Sequence, residues 1–308
     1  LTHARAEERR SFVDREGIAR EARGDLAPTA QSWPDRGDGA GRNLDGPALP
    51  ATMPPMFEEV KAIYLATRKK HDQVFNVYVM RPLAAGAVSV LAKTSVTPNQ
   101  LTLVSLGIFV VAAFLLVTLP DHLGGIVALL VLELSYLFDC ADGMLARHKG
   151  LASREGHLFD FFTDELKATL LAGALALRLY GGGGLGIDLR YREPGNTLFL
   201  VAGILSVGVV ASAISLTNFV RRPELSGKEG SVEAYYETVA QDASERTGAQ
   251  QVMWAVTTFL RFLNHYPSHL WLFALVNRLD LFFWLYTFNN LAYLGRGWLG
   301  LLVRFGRG

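Results

Sequence analysis

The chain has 308 residues, 50% hydrophobic and only 19% charged, with 30 basic against 29 acidic side chains. Soluble globular chains carry about 25% charged residues, so an ordinary cytosolic enzyme is disfavoured. The net charge of +1 excludes the broad basic face of a nucleic-acid binder. A single cysteine, Cys140, excludes an intramolecular disulfide and a cysteine-rich zinc site. The composition predicts an all-α integral membrane protein.

Residues 1–55 are rich in Arg, Asp, Glu, Gly and Pro and show no sustained apolar period. Such a stretch buries too little apolar surface to offset its chain entropy, so a disordered tail is expected. Leu stands first, and Met53 and Met56 precede the change of composition. A start of translation there, behind a mis-set upstream reading frame, is favoured over a genuine tail. No basic start followed by an apolar core marks a signal peptide.

Residues 56–97 are expected to form amphipathic helices in the membrane interface. Val60, Ile63, Tyr64 and Ala66 or Thr67 share one helical face, and Arg68, Lys69, Lys70 and His71 follow as a basic cluster suited to anionic headgroups. The stretch Pro82–Ala92 is too short to span a bilayer and too apolar to be exposed.

At about 20 residues per crossing, residues 98–308 divide into six transmembrane helices. They are placed at 98–119, 122–146, 157–179, 197–220, 255–277 and 279–303. The fifth is the poorest, because Arg261, Asn264, His265 and His269 interrupt it. Arg147, His148, Lys149 and Arg154 fall between the second and third spans, and Arg221, Arg222 and Lys228 follow the fourth. The positive-inside rule places that side in the cytoplasm, with Arg178, Arg190 and Arg192 counted against it on the far side. Residues 223–250 form a polar loop with a short surface helix around Val232–Ala240, and Gly181–Gly184 is expected to be a flexible loop.

Four acids stand where an apolar helix should have none. An Asp within a transmembrane helix costs about 2.5–3.5 kcal/mol, so four together need compensation. Asp139 and Asp142 are i, i+3 on the second span, and Asp160 and Asp164 are i, i+4 on the third; each pair shares a face. A short connection makes the two helices antiparallel neighbours. The four carboxylates therefore converge. Oxygen ligands without His or Cys suit Mg2+ or Mn2+, with room for two ions. Helix capping, or pairing with Arg147, Lys149 and Arg154, accounts for any one Asp but poorly for all four.

The string Asp139-x-x-Asp142-Gly143-x-x-Ala146-Arg147, eight residues, then Gly156-x-x-x-Asp160-x-x-x-Asp164 resembles the signature of the CDP-alcohol phosphotransferase family. The resemblance covers roughly residues 78–304, including Thr97-Pro98-Asn99. It implies a six-helix membrane domain, usually a homodimer, that moves a substituted phosphate from a CDP-alcohol to a second alcohol and releases CMP. It implies Asp139, Asp142 and Asp160 as metal ligands. It implies Asp164 as the general base, also touching the second metal. Gly143, Ala146, Arg147 and Gly156 would line the nucleotide pocket, and Asn99 is placed there or at a helix end.

The family's donors divide into CDP-diacylglycerol, used with a small polar acceptor, and CDP-choline or CDP-ethanolamine, used with diacylglycerol. A phosphorylated acceptor needs further cations, for which Arg221, Arg222 and Lys167 are the candidates, with ordinary membrane anchoring as the alternative for the arginines. These residues, and the Ala-Lys-Thr-Ser-Val-Thr-Pro-Asn run before the first span, favour CDP-diacylglycerol with an acceptor of the inositol phosphate or glycerol phosphate class. Asp164 is followed by Glu-Leu-Lys, whereas members acting on such acceptors often carry a basic residue directly there. A divalent-cation transporter is the alternative of a different class, disfavoured because the acids cluster at one membrane face. Glu133 lies off the metal-facing stripe and is read as buried and neutral, or hydrogen-bonded.

Overall fold

A computed structural model describes residues 55–68, 72–184, 195–222 and 248–306. The tail, the Lys69–His71 part of the basic cluster and the short helix expected at 232–240 lie outside the described residues. Every regular element among those described is helical.

The first two helices are short. Helix α1 runs Pro55–Thr67, and a π-helical turn, Asn76–Met80, leads straight into α2, Arg81–Leu91. The expected face of α1 is the one that packs: Ile63 and Thr67 are buried, with Val60 and Tyr64 against the same cluster. Ala84, Ala85 and Val88 of α2 are fully buried against Ala141, Met144 and Leu145 of a later helix. Small residues let the two backbones approach closely.

Helix α3, Pro98–Thr118, opens on a complete capping box. Thr97 accepts from the Gln100 amide, and the Gln100 side chain accepts from the Thr97 amide. Helix α4, His122–Lys149, starts at the Asp121 cap and stops at Gly150, whose φ of 67° gives the left-handed ending that glycine tolerates. Helix α5, Arg154–Tyr180, is capped by Ser153, which accepts from the Gly156 amide. Helix α6 spans Thr197–Arg221. Of these, Pro98–Thr118, His122–Lys149 and Thr197–Val220 are long and apolar enough to cross a membrane.

The expected fifth span is not one helix. Helix α7 runs Gly248–Asn264, a 3-10 turn covers Tyr266–Ser268, and α8 is only Leu270–Leu275. Pro267 explains the break, because it lacks the amide proton that a continuing helix needs. Asn277, at φ 54°, turns the chain into α9, Leu279–Phe305.

Helix α3 packs on both α4 and α5, α6 packs on α5, and α9 closes the bundle against α5 and α6. The shared core includes Phe109, Leu132, Leu175, Phe199, Phe282 and Phe283. Polar side chains join helices where the interior offers no water: Ser206 meets Thr287 at 2.8 Å, and Asn289 donates to the Leu260 carbonyl.

Two expectations about the far end are corrected. Arg178, counted as a far-side charge in the positive-inside reading, is turned into the protein. It is 1% exposed, and its guanidinium donates to the carbonyls of Leu116, Leu119, Pro120 and Asp121, closing the C-terminal end of α3. A buried carbonyl left unpaired costs about 1–3 kcal/mol. Arg178→Met is therefore expected to destabilise the fold by about 3 kcal/mol or more; a melting midpoint in detergent equal to wild type would contradict this. Nor is Gly181–Gly184 a loose loop. A Cβ on Gly183 would stand 2.4 Å from the Pro120 carbonyl oxygen, and the Gly184 carbonyl accepts from the Asp280 amide. Three segments meet there at backbone distance.

Candidate active site

Asp139 and Asp142 lie toward the C-terminal end of α4 and Asp160 near the start of α5; the two helices, expected to be packed neighbours, are instead each packed on α3, which stands between them as their common support. Asp139, Asp142 and Asp160 each present a carboxylate oxygen, and the three oxygens lie within 4.8 Å of one another. Asp142 is buried and accepts from Thr102 Oγ1 at 2.5 Å. Ser105 and Ser135 exchange hydrogen bonds with each other's carbonyls, and Ser105 Oγ lies 3.5 Å from Asp139 Oδ1. Helix α3 therefore holds two of the acids from behind. Thr102 and Ser105 stand three apart in an otherwise apolar stretch of α3, and that is the signal by which they were findable.

Asp164 is half exposed, one turn beyond Asp160. Lys167, a candidate for the acceptor phosphate, lies 3% exposed between carboxylates, bonded to Asp139 and, at 3.4 Å, to Asp164. Glu165, directly after Asp164, turns away to accept from Asn218 of α6 at 2.7 Å.

The small and basic positions also gather here. Arg147 folds its guanidinium over Gly143, its two terminal nitrogens 3.6 and 3.7 Å from where a Cβ would stand. Its Nε donates to the Thr67 carbonyl at the end of α1. A Cβ on Gly156 would stand 3.2 Å from Asn99 Oδ1 and 3.1 Å from Ser153 Oγ. Asn99 and Gly156 are thus neighbours, as are Gly143 and Arg147. Lys149 is occupied elsewhere, donating to the carbonyls of Thr94 and Val96. His148 and His157 are exposed.

Behind Asp139 runs a hydrogen-bond chain that sequence reasoning missed. Tyr136 Oη donates to Asn76 Oδ1 at 2.6 Å, so the His265 Nε2 at 2.8 Å must carry the proton toward Tyr136. His265 Nδ1 then accepts from Ser268 Oγ, and Asn76 Nδ2 donates to Asp72, which is ion-paired with Arg81. Burial raises the Asp72 carboxyl, but Arg81 and Asn76 overcome this and hold it below its ordinary value. The members are up to 196 positions apart, from Asp72 to Ser268, and no local spacing announces them.

Of the two readings of Glu133, the buried one holds and the hydrogen-bonded one does not: both its oxygens are buried without a hydrogen bond. It borders an apolar pocket of about 280 Å³ lined by Phe75, Leu129, Leu130 and Trp271. Arg222 is exposed at the end of α6, bordering a separate groove of about 420 Å³ between α5 and α6.

The sequence matches the model of the CDP-alcohol phosphatidyltransferase family over residues 95–275, more than half the chain and all four carboxylates. The chain belongs to that family. It is also similar to the phosphatidylinositol phosphate synthase of Corynebacterium glutamicum, 37% identical over 97 residues. That match covers 32% of this chain and 41% of the relative, so it spans under half the length of that curated protein.

Proposed function

We propose that this protein transfers a phosphatidyl group from CDP-diacylglycerol to the hydroxyl of a small polar acceptor, of the inositol phosphate or glycerol phosphate class, releasing CMP. The observation that carries the reading is the convergence of Asp139, Asp142 and Asp160 within 4.8 Å, with Asp164 one turn further on. The name of the Corynebacterium glutamicum relative supports the inositol phosphate acceptor.

Three carboxylates and no soft ligand fit Mg2+ or Mn2+. Asp139, Asp142 and Asp160 would hold the first ion, and Asp164 would join them for a second. Such ions supply Lewis-acid polarisation of the donor phosphorus and stabilise the leaving phosphate. Gly143 and Ala146 leave room for a flat pyrimidine, Gly156 and Asn99 flank it, and Arg147 grips phosphate oxygens through paired donors. Asp164 takes the proton from the acceptor hydroxyl. The acceptor oxygen bonds to the β-phosphorus, and the bond from that phosphorus to the CMP oxygen breaks.

In the same reading the chain crosses the bilayer six times, by α3, α4, α5, α6, the broken pair α7–α8, and α9. Helices α1 and α2 lie at the cytoplasmic interface, where the site opens. The unit is a homodimer.

Arg221 and Arg222 follow the apolar run of α6 on the side of the acids, and are assigned to the acceptor phosphate. Arg222→Ala is expected to raise the acceptor KM about tenfold with a smaller change in kcat, because a charge-assisted contact contributes about 1.5–3 kcal/mol. An unchanged KM would return Arg222 to membrane anchoring. The branch is tested with labelled CDP-diacylglycerol, CDP-choline and CDP-ethanolamine, each with an acceptor panel. Lipid product from CDP-diacylglycerol alone is expected; product only from the other two would overturn the assigned donor.

A further inference from the structure

The acidic cluster carries a cation of its own. Lys167 stands three residues after Asp164 and seven after Asp160 on α5, so it shares their face. A lysine ordinarily runs its stem along apolar surface and keeps its ammonium in water. Here the side chain is 3% exposed, and the ammonium bonds Asp139 Oδ1 and Asp164 Oδ1. Asp139 is at the same time one of the three acids whose oxygens converge. One carboxylate is therefore shared between a fixed ammonium and a divalent-cation site.

We infer that Lys167 is a positioning and charge-setting residue for that site, acting through Asp139 and Asp164. The inference rests on reading the cluster as a divalent-cation site. Its first consequence is geometric. With Oδ1 of Asp139 held by the ammonium, the carboxylate has a fixed rotation, and Asp164 is drawn toward the same centre although half of it is exposed. Its second consequence is electrostatic. The four carboxylates sum to −4 and Lys167 brings the cluster to −3. Two divalent cations would then leave +1 rather than 0. That surplus opposes cation binding and favours a diphosphate. Lys167 thus trades tightness of metal binding for attraction of the anionic donor.

The test uses the full chain in lipid nanodiscs, with Mn2+ as the probe and binding read by electron paramagnetic resonance. Lys167→Gln and Lys167→Met are expected to bind Mn2+ at least tenfold more tightly than wild type, and to raise the KM for the CDP-alcohol donor. Lys167→Arg, which keeps the charge, should stay within about threefold of wild type in Mn2+ affinity. A purely structural lysine predicts no gain in cation affinity when it is removed. Folded Gln and Met variants that bind Mn2+ equally or more weakly would overturn the inference. So would failure of both variants to fold, since the pair would then be structural. Absence of Mn2+ binding by wild type would overturn the cation-site reading itself, and this inference with it.

Discussion

Asp164→Asn is expected to lower the transfer rate by about 10²–10⁴-fold, the usual contribution of a general base. Binding of the donor and of the first Mn2+ ion, the one assigned to Asp139, Asp142 and Asp160, should stay within a few-fold of wild type. The expectation follows from placement. Asp139, Asp142 and Asp160 converge on one point, whereas Asp164 is half exposed at the side of the cluster, where an incoming hydroxyl can reach it. Asparagine keeps the size and the hydrogen bonding but cannot accept the proton at neutral pH. Single-turnover kinetics with saturating Mg2+ separate the chemical step from binding. A variant with near-normal turnover would remove Asp164 as the base.

Asp142→Asn is expected to act differently, with cation affinity and activity falling together. Asp142 is 3% exposed, accepts from Thr102, and belongs to the converging trio. Loss of even an outer-sphere partner of a metal ligand costs about 10–100-fold in affinity or activity, so loss of a ligand charge should cost at least 100-fold. Raising Mg2+ should recover part of the rate in Asp142→Asn but none in Asp164→Asn, because extra cation can refill a weakened site but cannot replace the base. Equal cation titrations for wild type and Asp142→Asn would contradict the assignment.

The acids were legible because two helical spacings and one short turn sufficed to bring them together. The packed face of α1 was legible for the same reason, since it depends on residues within a turn or two. What escaped was long-range. Arg178 reads as a charge at the end of a span, and only the fold brings four carbonyls to its guanidinium. The glycine run reads as flexible, yet Pro120 and Asp280 meet it from distant parts of the chain. The spacing puts Lys167 one turn beyond Asp164, where it is found, but does not say that Asp139 stands across from it. The break at Pro267 was in plain view, but the apolar residues on either side outweighed it in a hydropathy reading.

One measurement tests the central claim most directly: CMP release by the full chain in proteoliposomes containing CDP-diacylglycerol, with inositol phosphate or glycerol phosphate added, in Mg2+ and then in EDTA. The account predicts CMP in step with lipid product, dependent on both acceptor and cation, and abolished by EDTA. No CMP from any donor, in protein that still binds Mn2+, would contradict transfer at this cluster and leave ion passage as the use of its carboxylates.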